Sequence, residues 1–272
     1  MSGTLQQVSR VALGIEYNGT HFNGWQSQKS PDSITVQESL EKVLTQVADH
    51  SVSVICAGRT DSGVHATGQV VHFDCHNERP EDAWLRGANA MLPPSIAIRW
   101  ARQAAPDFHA RFSATARSYR YVIYNRQVKP AILSGQVTHH YHRLDSDAMH
   151  EAGQLLLGER DFTSYRGAAC QSSTPMRHVM AVNVSRHGDF VLLDIQANAF
   201  LLHMVRNIAG VLMAIGEGEK PVAWAGEVLA AKDRTLAGVT AKPHGLYLVR
   251  VSYPEKFAIP VATQGPDFLF DT

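Results

Sequence analysis

Val11, Leu13, Ile15 and Tyr17 alternate with smaller or more polar neighbours, the two-residue period of a strand with one buried face, and Asn18-Gly19 ends it as a turn. The period then changes. Thr35-Val36-Gln37-Glu38 has the form of a capping box, and Val36, Leu40, Val43, Leu44 and Val47 fall on one helical face. Val52, Val54 and Cys56 alternate again and run into Ala57-Gly58-Arg59-Thr60-Asp61-Ser62-Gly63, a polar run bracketed by glycines that reads as a loop. Residues 69–74 read as the next strand, residues 81–92 as a helix stopped by Pro93-Pro94, and residues 96–100 as extended chain.

A second half begins near Phe112. Arg117, Tyr119, Tyr121 and Ile123 share one face of a predicted strand, with Ser118, Arg120, Val122 and Tyr124 on the other. Residues 145–157 form a predicted helix closed by Gly158, and residues 179–185 and 190–197 flank a hairpin turn at Arg186-His187-Gly188-Asp189. Residues 201–215 are apolar nearly all round, the mark of a buried helix, and residues 246–253 supply a last strand. Each half mixes strands with about two helices, an α+β pattern. The expected organisation is an N-terminal α/β subdomain over 1–112 and a C-terminal one over 113–272.

The chain has 272 residues, 44% of them apolar and 18% charged, so a sizeable core is expected rather than disorder. No apolar stretch approaches the roughly 20 residues needed to span a bilayer, and the first seven residues lack the basic and apolar runs of a secretion signal. Three cysteines, Cys56, Cys75 and Cys170, make neither a disulfide framework nor a cysteine zinc site. A cytoplasmic protein without membrane association is expected.

Formal net charge is zero, yet the charges segregate. Between Ala101 and Arg143 stand Arg102, Arg111, Arg117, Arg120, Arg126, Lys129 and Arg143 against Asp107 alone, with His109, His139, His140 and His142 added. That pattern suits one face meeting phosphates while the remainder stays acidic and soluble; solvated arginines on a strand pair would look the same.

Phosphate loops, dinucleotide-binding glycines, zinc-protease helices and nucleophile elbows are absent, and the histidines show no metal-ligand spacing, so no cofactor and no metal is expected. The best local candidate is the loop around Asp61. A lone loop aspartate commonly forms a turn or caps a helix; here Arg59 stands two residues away, and an aspartate kept ionised by a nearby cation is a competent nucleophile or base. Arg206 is the second anomaly, a guanidinium in an apolar helix: either its acidic partner makes a structural ion pair, or the side chain snorkels to the helix end, or the partner is a catalytic carboxylate. Tyr119 and Tyr121 are either core or stacking platforms for bases, and Phe108-His109-Ala110-Arg111-Phe112 mixes rings and cations within five residues.

Taken in order, Gly24-Trp25-Gln26, Ala57-Gly58-Arg59-Thr60-Asp61-Ser62-Gly63-Val64-His65-Ala66, Phe108-His109-Ala110-Arg111-Phe112-Ser113-Ala114, Tyr119-Arg120-Tyr121, Asp161-Phe162-Thr163, Met204-Val205-Arg206-Asn207 and Gly245-Leu246-Tyr247 closely resemble the bacterial tRNA pseudouridine synthase A family over almost the whole chain. Ser62 departs from it, where many relatives carry alanine. The resemblance implies a pseudouridine synthase fold, two subdomains with antiparallel or mixed sheets flanked by helices around a basic cleft. It implies isomerisation of uridines 38, 39 and 40 in the tRNA anticodon stem-loop, without a cofactor, by a homodimer whose tRNA spans both subunits.

The same resemblance makes Asp61 the nucleophile, Arg206 its basic partner, Tyr119 the ring that packs on the target base, and Arg59 the residue that holds the flipped nucleotide out. Arg79, Phe108, His109, Ala110, Arg111, Phe112, Cys170, Gln171, Ser172 and Ser173 match tRNA-contacting positions. Two other classes remain at this point. A non-catalytic tRNA-binding module would need no reactive carboxylate, and a nucleoside glycosylase would release free uracil.

Overall fold

The computed structural model describes residues 8–28, 33–261 and 265–269, so the reading of residues 1–7 lies outside the described residues. Two compact units emerge. The first comprises residues 1–115 together with 248–272, the second residues 116–247.

In the first unit, β1 (Ser9–Tyr17) is the middle strand of an antiparallel sheet. It pairs on one side with β3 (His65–Cys75), to which β2 (Ile55–Cys56) adds a short antiparallel rung, and on the other with β4 (Ile96–Ala104). β3 and β4 both run longer than periodicity alone marks, because pairing with β1 continues through positions where the apolar alternation fails, such as Arg102 and Gln103 opposite Ala12 and Val11.

The capping box is real: the Thr35 hydroxyl accepts from Glu38 N at 3.3 Å and donates to the Glu38 carboxylate at 2.8 Å, starting α1 (Val36–Ala48). α1 buries Val36, Leu40, Val43 and Leu44 as its spacing requires; at its last turn Ala48 is buried and Val47 only half-buried. The helix expected over 81–92 forms, but winds as a π-helix over Ala83–Ala88 before a single α-turn, α2 (Asn89–Met91). Its Trp84 meets Phe73 of β3 edge-on at 5.2 Å, and Leu13, Ile15, Leu40 and Leu44 complete the core.

The second unit is built on β5 (Ala116–Asn125), with β6 (Thr138–His140) parallel on one side. On the other side, β7 (Gly158–Asp161), β8 (Met176–His187) and β9 (Phe190–Ala197) stand in the order β5-β9-β8-β7, all antiparallel. Gly188-Asp189 alone turns the β8–β9 hairpin, tighter than the four residues the sequence suggests. α3 (Ser146–Gln154), capped by Asp145, packs against β8 and against α4 (Met204–Gly216). α4 begins three residues later than its apolar run because His203 sits at φ 60°, outside helical geometry. α5 (Trp224–Ala231) has no clear sequence signature: its run is short and rich in small residues. β10 (Leu246–Ser252) starts in the second unit and carries the chain back into the first.

Fold class is thus α+β. No helix among the described residues is long and apolar enough to cross a membrane.

Candidate active site and RNA-contact residues

Asp61 lies in the turn between β2 and β3, half-buried, and its loop is held from three directions. From below, Gln69 of β3, 0% exposed, donates its amide to the Gly58 carbonyl at 2.6 Å and accepts from Gly58 N at 3.3 Å. From β1, the Tyr17 hydroxyl shares a 2.7 Å hydrogen bond with that of Thr60. From the preceding loop, Trp25 N donates to the Thr60 carbonyl at 3.0 Å, and Ser62 Oγ donates to the Phe22 carbonyl at 3.1 Å. Gly24 makes that approach possible: its φ is +92°, and a β-carbon there would stand 2.9 Å from the Thr60 carbonyl oxygen. Arg59, next to these anchors, is exposed.

The Phe108–Phe112 motif belongs to the same unit. Phe108 is fully buried, against Tyr253 and Phe257, so its ring is core; Arg10 donates to its carbonyl. Ala110 is buried as well, its N–H donated to His72 Nδ1 at 3.1 Å and its carbonyl accepting from the Tyr253 hydroxyl. Burial pushes the His72 imidazole down to about 4, with His109 and Arg10 adding to the effect, so the ring is neutral and able to accept. His109 stacks on Phe112 at 4.3 Å; its Nδ1 accepts from the backbone N–H of Arg111 and Phe112, and burial with Arg10 lowers its pKa too.

Arg111 and Phe112 face solvent, Phe112 with 75% of its surface, and the Arg111 guanidinium lies 5.5 Å from the Phe112 ring. Cys56 ends β2, just ahead of the loop. Burial pushes its thiol up to about 12, against the pull of both Arg59 and Arg111. Arg79 stands apart, its Nε donated to the Val47 carbonyl at the end of α1.

In the second unit, Tyr119 lies opposite Ile195 in the β5–β9 register and is 8% exposed. Its ring meets that of Phe200 edge-on at 5.1 Å. Tyr121, two residues on and on the same strand face, is fully buried and donates to the Lys242 carbonyl at 2.7 Å. Burial raises the Tyr121 phenol well above its ordinary range, while its hydrogen bond with the Thr138 hydroxyl and the Arg206 charge act in the opposite direction. Arg206 is half-buried in the first turn of α4 and donates Nε to the Ala241 carbonyl at 2.8 Å.

Cys170, Gln171, Ser172 and Ser173 form a loop that follows Gly167, whose carbonyl accepts from Cys170 N at 3.0 Å and whose N–H donates to the carbonyl of Leu202, two residues before α4, at 2.8 Å. Two arginines that sequence reasoning passed over support it. Arg166 donates to the carbonyls of Cys170 and Ser172, and Arg177 to those of Thr174 and Met176 and to the Ser172 hydroxyl. Burial opposes ionisation of the Cys170 thiol, but hydrogen bonds with the backbone of Leu202 and Ser172 and the Arg166 charge outweigh it and lower its pKa.

Gln69 and His72 were also missed, although a polar side chain inside the apolar run of β3 is itself a signal. Among the described residues no group of three or more His, Cys, Asp or Glu could hold a metal ion.

The family model described as tRNA pseudouridine synthase matches residues 14–113 and 152–254. The chain belongs to that family. It is 58% identical over 264 residues to tRNA pseudouridine synthase A of Escherichia fergusonii, covering 97% of each chain. Against the enzyme of the same name from Enterobacter sp. (strain 638), identity is 57% over 267 residues, 98% of each chain. Pseudouridine synthases are isomerases, and this family member is an enzyme of that class. A solved structure of a Cbf5–Nop10–Gar1 complex aligns with 88% of this chain and 48% of that chain, at 10% identity and a TM-score of 0.33, too distant to bear on the argument.

Proposed function

We propose that this pseudouridine synthase converts uridines 38, 39 and 40 of the tRNA anticodon stem-loop to pseudouridine, with Asp61 as nucleophile acting on a nucleotide turned out of the stack. The observation that carries the reading is the bracing of residues 58–62. Gln69, Tyr17 and the backbone of Phe22 and Trp25 hold a half-buried carboxylate in one place, as a pre-organised reactive group requires. The reaction breaks the ribose C1′ to N1 bond, turns the base and joins C1′ to C5; the C5 proton leaves and N1 gains one, so no redox partner is needed. Attack at C1′, addition at C6 and proton removal from the ribose to give a glycal all employ the same carboxylate.

Arg206 serves as the basic partner of the reacting carboxylate, with its Nε already held by Ala241. Tyr119 packs on the target base and relays the C5 proton. Arg59, exposed beside the braced turn, holds the everted nucleotide, since the reacting atoms are otherwise shielded by stacking.

Tyr253, His72 and Arg10 brace the Phe108–Phe112 backbone so that Arg111 and Phe112 project outward, an arrangement suited to phosphate and ribose contact. Within that motif Phe108 and Ala110 act from beneath and His109 through its stack on Phe112. Arg79 and the loop Cys170–Ser173 contribute further contacts to the tRNA. The enzyme acts in the cytoplasm as a homodimer whose two subunits share one tRNA.

Asp61→Asn tests the central step. Pseudouridine formation, read by carbodiimide reactivity of the tRNA, should vanish while filter-retained tRNA binding persists. Product formed at the parental rate overturns the assignment, and free uracil in place of pseudouridine overturns isomerisation at this site.

A further inference from the structure

Arg206 is the third residue of α4, yet the orientation of its guanidinium is set from outside the helix. Its Nε donates to the Ala241 carbonyl at 2.8 Å, and its own carbonyl accepts from Ala241 N at 3.1 Å, so a single residue of the 237–241 loop binds both ends of Arg206. The next carbonyl, that of Lys242, is taken by Tyr121. A shift of that loop therefore displaces the acceptor that Arg206 Nε points at.

Arg234 decides where the loop sits. Its Nη1 donates to the carbonyls of Ala237 and Gly238 at 3.2 and 3.1 Å, and its Nη2 to Asn207 Oδ1 and Thr240 Oγ1 at 3.0 and 2.8 Å. All four acceptors are neutral. A planar five-donor fork used on four neutral oxygens fixes geometry, and a lysine cannot reproduce it.

Asn207, fully buried and adjacent to Arg206, completes the clamp. Its carbonyl oxygen also accepts from the Thr240 hydroxyl at 2.7 Å, and its amide donates to the Tyr165 carbonyl at 2.8 Å, tying the loop to the first turn of α4 and to the body of the unit. Gly210, one turn further along, lets the loop lie flat on the helix: a β-carbon there would come within 1.9 Å of the Val239 carbonyl oxygen. Leu236, just before this loop, and Val239 within it are exposed and the small Ala241 side chain is buried, so burial of large apolar side chains does not hold it in place. The hydrogen bonds do.

We infer that Arg234, Asn207 and Thr240 form a positioning clamp that orients Arg206 for the isomerisation. The inference rests on the role given to Arg206 above. Thr240→Val is the decisive variant, because it keeps the shape and β-branching of threonine while deleting the hydroxyl that ties the loop to both Arg234 and Asn207.

Single-turnover conversion of tRNA by the full-length enzyme should slow about 10- to 100-fold, the usual penalty for displacing a reacting group by about an ångström, with the tRNA dissociation constant and the far-ultraviolet circular dichroism unchanged. Thr240→Ser should restore most of the rate, and Arg234→Lys should be as slow as Thr240→Val. In an Arg206→Gln background Thr240→Val should remove nothing further, since residues acting through one group are not additive.

A Thr240→Val enzyme turning over at the parental rate, or one whose loss is undiminished in the Arg206→Gln background, overturns the clamp. If Arg206→Gln itself turns over at the parental rate, the role of Arg206 falls and the clamp with it. A slow Arg206→Gln beside a parental Thr240→Val removes the clamp alone.

Discussion

Gln69→Leu isolates what holds the Asp61 loop. Leucine is of a size with glutamine, so the substitution leaves no large cavity at this fully buried position, and what it removes is the pair of hydrogen bonds to Gly58 together with a long one, 3.5 Å, from the Gln69 amide to the Tyr17 hydroxyl. Each backbone group left without its partner costs about 1–3 kcal/mol when water cannot reach it. Gly58 is only half-buried, so the two losses together should fall near 2–4 kcal/mol in unfolding free energy. Urea denaturation followed by tryptophan fluorescence reads this, with Trp25 a local reporter because its N–H is bonded to the Thr60 carbonyl.

The same loop freedom should slow single-turnover isomerisation by up to about 100-fold, as a misplacement near 1 Å does. Gln69→Glu refines the test. A carboxylate facing the Gly58 carbonyl lacks the donor, and protonation restores it, so this variant should regain stability as pH falls. A Gln69→Leu enzyme that loses less than about 0.5 kcal/mol, the range of an inconsequential surface change, would refute the bracing argument. Turnover at the parental rate despite the full loss of stability would refute its link to catalysis.

Three further outcomes are expected. His72 is 2% exposed and its folded pKa is lowered from 6.5 to about 4, so the folded state binds fewer protons across that window and stability is lost as pH falls from 6.5 towards 4. His72→Gln, which keeps an acceptor for Ala110 N, should flatten that dependence, worth up to about 3 kcal/mol, in urea melts at pH 7 and pH 4.5; unchanged slopes would contradict it. Native alkylation at pH 8, mapped by peptide mass, should label Cys170 well before Cys56, whose thiol is buried and raised to about 12; the reverse order would refute both environments. Arg111→Gln should weaken tRNA binding and reduce the slope of log affinity against log salt by about one, and equal slopes would remove Arg111 from the phosphate contacts.

Much of the fold is legible in the residues because burial imposes periods that short-range patterning reveals. The alternation from Val11 to Tyr17 becomes β1, Thr35 with Glu38 opens α1, and Gly188-Asp189 turns the β8–β9 hairpin. Local pattern misses where tertiary contacts overrule it. The helix after Asp82 winds as a π-helix, α4 starts only after a left-handed His203, and α5 forms from a short run rich in small residues.

Tyr119 and Phe108 look alike in sequence, rings beside arginines. Phe108 is enclosed by Tyr253 and Phe257, more than a hundred residues away, and is 0% exposed, whereas Tyr119, edge-on to Phe200, is 8% exposed. No spacing rule separates these two cases.

The amino-acid order by itself determined the α+β class, most of the strands and helices, and the motifs around Asp61 and Arg206, both inside the stretches that the family model matches. Chemistry-bearing residues announce themselves by type and by local neighbours, which a linear string records. Only the tertiary structure decided that Gln69 and Tyr17 brace the Asp61 loop, that His72 holds up the Phe108–Phe112 backbone, and that Arg234 reaches Asn207 to fix the loop gripping Arg206. Each of those hydrogen bonds joins residues 11 to 43 positions apart. A directional bond over such separations depends on where folding has carried both partners, and no periodicity along the chain encodes that.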